Sequence, residues 1–193
     1  MDLLQWSISA IEEETGQFSP DYAICSSAAL GGHLDILKWA RLNGFLWDSN
    51  VCKMAASGGH LEVLQWARKH GCSWNNETSK KAARNGHLEV LQWTIENGGA
   101  WSAIEIARCA ALNGHVKILK WMKEKGWEIC ESVCNMAAWN GHLEVLKWAR
   151  ECGFAWDHTT FEYAKDHGNM EVVQWIKENG WDLTESVELE KKD

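Results

Sequence analysis

Five histidines recur at almost constant spacing, His33, His60, His87, His115 and His142, each directly after a glycine. Imidazoles bind metals and move protons, so a row of them invites both readings. Zinc ligands must all stand about 2 Å from one ion, whereas equivalent residues on neighbouring packed helices lie about 8–10 Å apart. Histidines placed once per unit therefore cannot close on a metal, and they suit polar contacts at a repeated turn. The seven cysteines, at 25, 52, 72, 109, 130, 134 and 152, are odd in number and form no C-x-x-C pair. Cys25, Cys52 and Cys134 occupy one position of a repeat that elsewhere holds Ser79, Ala107 or Phe161. A slot accepting serine, alanine or phenylalanine is a packing slot, and the thiols are read as reduced core residues. Cys130 and Cys134 can share a helix face, but two thiols do not complete a zinc site. Fourteen tryptophans could stack on a ligand. Most instead sit at repeated positions, and those at 39, 66, 93, 121, 148 and 175 are followed by Ala40, Ala67, Thr94, Met122, Ala149 and Ile176. A large residue beside a mostly small one is volume compensation in a core. No Ser-His-Asp set, glycine-rich phosphate loop or paired carboxylates stand out, and a constellation copied in every unit does not mark one catalytic centre. The chain is read as non-enzymatic, with no metal and no cofactor.

These residues are positioned by a repeat. The stretch Gly59-His60-Leu61-Glu62-Val63-Leu64-Gln65-Trp66-Ala67-Arg68 returns as Gly141-His142-Leu143-Glu144-Val145-Leu146-Lys147-Trp148-Ala149-Arg150, with weaker copies from Gly32, Gly86, Gly114 and Gly168. The six tryptophans just named are spaced 27, 27, 28, 27 and 27 apart. A fixed period in this range predicts stacked structural units. Residues 48–74 show one of them. Asn50 to Ser57 carries a short helical pattern, and Gly58-Gly59 ends it with a left-handed cap. Leu61, Val63, Leu64, Trp66 and Ala67 then form an apolar stripe of helical period. Glu62 in the first turn and Arg68, Lys69 and His70 in the last oppose the helix dipole. Gly71 closes the second helix, and Cys72-Ser73-Trp74-Asn75 returns to the next unit. A leucine-rich repeat needs an L-x-x-L-x-L strand, which no unit shows.

The 193 residues carry 19 basic and 27 acidic side chains, a formal charge of −8. That balance disfavours non-specific attraction to nucleic acid or anionic membrane. No apolar run approaches the ~18 residues of a membrane span. The opening Met1-Asp2-Leu3-Leu4 lacks a basic region and soon meets Glu12-Glu13-Glu14, so no secretory leader is expected and a cytoplasmic location is.

Ala55-Ala56-Ser57-Gly58-Gly59-His60-Leu61-Glu62-Val63-Leu64 and Ala82-Ala83-Arg84-Asn85-Gly86-His87-Leu88-Glu89-Val90 resemble the A-A-x-x-G-H-L-E-V-V of the ankyrin repeat family. Gly71-Cys72-Ser73-Trp74-Asn75 is similar to that family's G-A-D-V-N, with tryptophan for valine. The resemblance runs over roughly residues 20–182, six times in register. It departs from the family at two points. The T-P-L-H motif is missing, the single proline, Pro20, being out of register. Each unit is also about six residues shorter than the usual 33. Both changes fall where ankyrin repeats project a β-hairpin finger, so a tight loop is expected there. The expected fold is an all-α, ankyrin-repeat-like solenoid of stacked helix-turn-helix units with shortened inter-repeat loops and helical caps. Residues 1–18 are read as an N-terminal capping half unit, 19–182 as six repeats and 183–193 as a C-terminal cap.

The resemblance implies a binding module for another protein, acting through a concave groove and its loops. In ankyrin repeats the residues after A-A face the groove and vary with the partner. Here the first of them are Leu30, Ser57, Arg84, Leu112, Trp139 and Asp166. Leu112 beside Trp139 is expected to form an exposed apolar spot, and Trp139 is the tryptophan that the repeat does not explain. Lys53, Lys80, Lys81, Arg84 and Arg108 add a basic cluster on an acidic chain. The expected partner is a protein presenting an acidic segment with an apolar anchor, bound by a monomer. An alternative is a host-directed effector or adaptor fragment whose repeats select a target for another domain.

Overall fold

A computed structural model describes residues 22–130 and 132–179. Twelve α-helices, and no strand, occur among the described residues. They form six pairs: α1 (Tyr22–Leu30) with α2 (Leu34–Leu42), α3 (Ser49–Gly58) with α4 (Leu61–Lys69), α5 (Asn76–Arg84) with α6 (Leu88–Glu96), α7 (Ala103–Leu112) with α8 (Val116–Glu124), α9 (Ser132–Trp139) with α10 (Leu143–Glu151), and α11 (His158–Asp166) with α12 (Met170–Glu178). The expected caps at residues 1–18 and 183–193 lie outside the described residues.

Each helix is only two to three turns long, too short to be stable alone in water, so its ends are closely specified. The residue before each of three first helices caps it: Asp48 accepts from the Asn50 N–H at 2.8 Å, Asn75 from the Glu77 N–H at 3.0 Å, and Asp157 from the Thr160 N–H at 3.1 Å. At the other end, the amide two residues past the cap reaches back across the last turn, as in His60 N–H to Ala55 and Cys72 N–H to Ala67. This is the Schellman closure, which satisfies carbonyls the helix leaves open and places a glycine in left-handed conformation. Gly59 (φ 79°) serves it inside a repeat and Gly71 (φ 84°) between repeats.

The first helices pack closely on one another along the array, while contacts between successive second helices are sparse. The sequence cause is the alanine pair in the first helix. Ala55, Ala56, Ala82, Ala83, Ala110, Ala111, Ala137 and Ala138 are all fully buried, and side chains that small let helix backbones approach. Tight inner spacing and wide outer spacing curve the stack, with the first helices on the inside. Val63, Leu64, Leu91, Ile118, Leu119 and Leu146 fill the core from the second helices. The variable slot read as packing is buried throughout: Cys25, Cys52, Ser79 and Ala107 are at 0 % exposure, Cys134 at 1 % and Phe161 at 7 %. Cys130, however, precedes α9 and lies 2.9 Å from the Ser132 hydroxyl, so it does not share a helix face with Cys134.

The tryptophans correct one sequence expectation. The deepest outer-helix positions are the residues after them, Ala40, Ala67, Thr94, Met122, Ala149 and Ile176, all at 0–1 % exposure. Trp39, Trp66, Trp93 and Trp175 are half-buried and roof the return loops, and only Trp121 and Trp148 are buried. Loop and helix tryptophans meet edge to face, Trp47 on Trp66 with centroids 5.7 Å apart and Trp74 on Trp93 at 5.6 Å. The Arg41, Arg68 and Arg150 guanidiniums lie 4.3, 4.2 and 4.3 Å over Trp47, Trp74 and Trp156. The same arginines donate to the loop carbonyls of Phe45, Cys72 and Phe154. A flat cation that both stacks and donates holds the loop where an ankyrin finger would project.

Candidate partner-binding groove

The inner surface is made by the first helices, and their C-terminal ends are tied across repeats. The Nε2–H of His60 donates to the Leu30 carbonyl at 3.0 Å, His87 to Ser57 at 3.0 Å, His115 to Arg84 at 2.8 Å and His142 to Leu112 at 3.0 Å. In the last described repeat Asn169 takes that place and donates to Ala138 at 2.8 Å and Trp139 at 2.9 Å. Each imidazole also lies over the left-handed glycine of the preceding repeat. A Cβ on Gly59 would come 2.5 Å from the His87 ring, and one on Gly86 2.7 Å from His115. The row Leu30, Ser57, Arg84, Leu112 and Trp139 is thus anchored by its carbonyls. Among the described residues no group of three metal-ligating side chains is placed to hold an ion.

Four of the eight expected binding residues come together. Lys80, Arg84, Arg108 and Leu112 line one depression of about 170 Å³, with Glu105, Cys109 and Met136 completing its wall. It spans α5, α7 and α9, three consecutive inner helices. The other four lie outside it. Lys53 is half-buried on α3, and Lys81 half-buried on α5. Ser57 is engaged, its hydroxyl and carbonyl both accepting from the Asn85 side-chain amide at 2.8 and 2.7 Å.

Two features differ from the sequence expectation. Leu112 and Trp139 do not make one exposed apolar spot. Leu112 is half-buried in the depression, while Trp139, 42 % exposed, leans onto the next repeat. Its ring centroid is 3.9 Å from that of His167 and 5.1 Å from Tyr163. Aromatic pairs at centroid distances of a few ångströms attract beyond the area they bury. Nor is the basic cluster uniformly free. Lys80 donates to Glu77 at 2.7 Å and stands 3.6 Å from Glu105. The hydrogen bond from Lys80 holds the Glu77 carboxyl below its usual range, and the same bond raises the Lys80 ammonium. Arg84 and Arg108 are exposed and in no ion pair among the described residues. Register arithmetic carried the missing signal, since Glu105 repeats the place of Glu77 and Arg108 that of Lys80, each 28 residues on. Tyr163 and His167 had no such signal, because only packing brings them to Trp139.

A curved stack of helix pairs with an accessible inner face defines a helical-repeat solenoid. Residues 106–150 match the family model described as ankyrin repeats (many copies). The human ASB11 ankyrin repeat domain is a similar solved structure, with a TM-score of 0.64 and 18 % sequence identity over 82 % of this chain and 84 % of that one. No curated protein is significantly similar to the chain. The chain has the fold of an ankyrin-repeat solenoid, in units shorter than the 33 residues usual for ankyrin repeats. Ankyrin repeats are in general protein–protein interaction modules. No described helix is long and apolar enough to cross a membrane.

Proposed function

We propose that this protein binds a partner protein, without catalysing a reaction, through the inner face of its first helices. The carrying observation is the convergence of Lys80, Arg84, Arg108 and Leu112 on one depression across three repeats. Two exposed arginines at the rim of a half-apolar cleft suit a carboxylate-bearing segment that also buries an aliphatic side chain. Arginine is favoured at such sites because its planar fork meets a carboxylate with two hydrogen bonds. Lys53 and Lys81 extend the positive face, whereas Ser57 is committed to Asn85 and contributes shape. Trp139 with Tyr163 and His167 supplies a second, aromatic contact area further along, of the composition that dominates interface energetics.

The test is affinity capture from the source cell's lysate, with wild type and the variant Arg84→Glu/Arg108→Glu as baits. Both arginines are exposed, so helicity by circular dichroism is expected to be unchanged. Loss of a captured protein from the variant alone supports the groove, and equal capture by both baits refutes it.

A further inference from the structure

The inner face changes sign along the array. One register of the first helices holds Lys53, Lys80 and Arg108 in three consecutive repeats, then Asn135 and Glu162 in the next two. The register one turn on runs Arg84, Leu112, Trp139, Asp166. The face is therefore cationic across α3, α5 and α7, aromatic at α9 and acidic at α11. Some of these charges are internally compensated, Lys80 by Glu77 and Glu105, and Glu162 by Lys165 at 3.2 Å. Arg84, Arg108 and Asp166 are exposed and stand outside every ion pair among the described residues.

Spacing converts this gradient into a recognition rule. Packed helices lie about 8–10 Å apart, so the groove offers one recognition position at about that interval. A chain in polyproline-II conformation repeats every three residues with a rise of ~3.1 Å each, about 9 Å per turn. Its every third side chain can therefore meet successive repeats in register. A flat β-strand brings every second side chain to one face, about 7 Å apart, and drifts out of step.

We propose that the occupant of the groove is an extended partner segment whose charge reverses along its length. It presents side chains at every third position: acidic residues to Arg84 and Arg108, then an aliphatic or aromatic residue to the Trp139 cluster, then a basic residue to Asp166. This rests on the groove reading of the preceding subsection and adds the partner's pattern to it. Opposite charges at both ends favour one orientation and one register, because a reversed segment sets like charges against each other and one slipped by a repeat loses ion pairs.

Fluorescence anisotropy with labelled synthetic peptides tests the rule on the full chain. The first peptide carries two acidic residues, a leucine and a lysine at successive third positions, made in both chain directions. The second places the same residues at every second position, and the third replaces the lysine by glutamate. In one of its two directions the first peptide is expected to bind at least about fivefold tighter than the second or third, the scale of one or two exposed charge contacts. Asp166→Lys should invert the preference between the first and third peptides, and Arg84→Glu should weaken both. Equal binding of all three peptides, lost on Arg84→Glu, overturns the pattern and leaves the groove reading intact. No binding by any peptide also overturns the pattern, and the lysate comparison then judges the groove separately.

Discussion

The two surfaces of this solenoid are built on opposite logic. On the inner side the repeated residues are small and polar, alanine pairs and cross-repeat histidines, and the exposed positions differ from repeat to repeat. On the outer side the repeated residues are large, with half-buried tryptophans over return loops and arginine clamping three of those loops. Small inner residues bring the first helices together and leave their C-terminal row free to vary. Bulky outer residues fill the wider spacing that curvature creates. The repeat thus assigns rigidity to one face and recognition to the other, and most of its tryptophans belong to the former.

Glycine substitutions separate the two faces most sharply. Gly59 and Gly71 both have positive φ, but a side chain at Gly59 strikes the His87 ring, while nothing lies within 4 Å of one at Gly71. Gly71→Ala should cost only the left-handed backbone term, ~1–2 kcal/mol. Gly59→Ala should cost about 3 kcal/mol or more, because overpacking against the ring adds to it. Urea denaturation compares them, and equal losses would remove the histidine contact from the account of the inner face.

A smaller effect probes the cross-repeat bond itself. His87→Ala leaves the Ser57 carbonyl with the Asn85 amide alone and should destabilise by roughly 1–2 kcal/mol. His87→Asn should recover at least half of that, since Asn169 makes the equivalent bond in the last described repeat. If asparagine is no better than alanine by thermal melting, the bond is not the reason for the histidine.

On the outer face Arg68→Lys keeps the charge but loses the flat stack on Trp74. A loss of about 0.5–1 kcal/mol is expected, with faster amide exchange across residues 70–75 as the local readout. Protection unchanged in that loop would show that the guanidinium does not hold it. The smallest change runs the other way. The Thr78 hydroxyl is buried without a hydrogen-bond partner, and the same register holds the buried valines Val51 and Val133. Thr78→Val should raise stability by about 1 kcal/mol. A decrease would mean that the hydroxyl has a partner that the geometry does not reveal.

The helical pairs, their glycine ends and the shortened loops were all legible in the sequence. Their signals are local or strictly periodic: Gly58-Gly59 and Gly71 mark chain reversals, and the 27-residue step aligns identical chemistry across units. The groove was half legible. Register placed Arg84, Leu112 and Arg108 on one surface, and the structure gathers them with Lys80 in one depression. Register set Glu77 and Glu105 at equivalent positions near Lys80, but that both carboxylates engage the same ammonium depends on rotamers, which spacing does not encode.

What the sequence determined by itself is the one-dimensional order of the molecule: the unit, its period, its turns and the positions free to vary. A repeat in which each unit touches only its neighbours makes that order almost the whole fold. What only the tertiary structure decided is how side chains divide the space between units. Trp139 packs on His167 and Tyr163, and four of the six helix tryptophans settled half-buried over loops, with the deepest positions left to the residues after them. Those choices follow from the areas and angles available once helices are packed, which no spacing along the chain encodes.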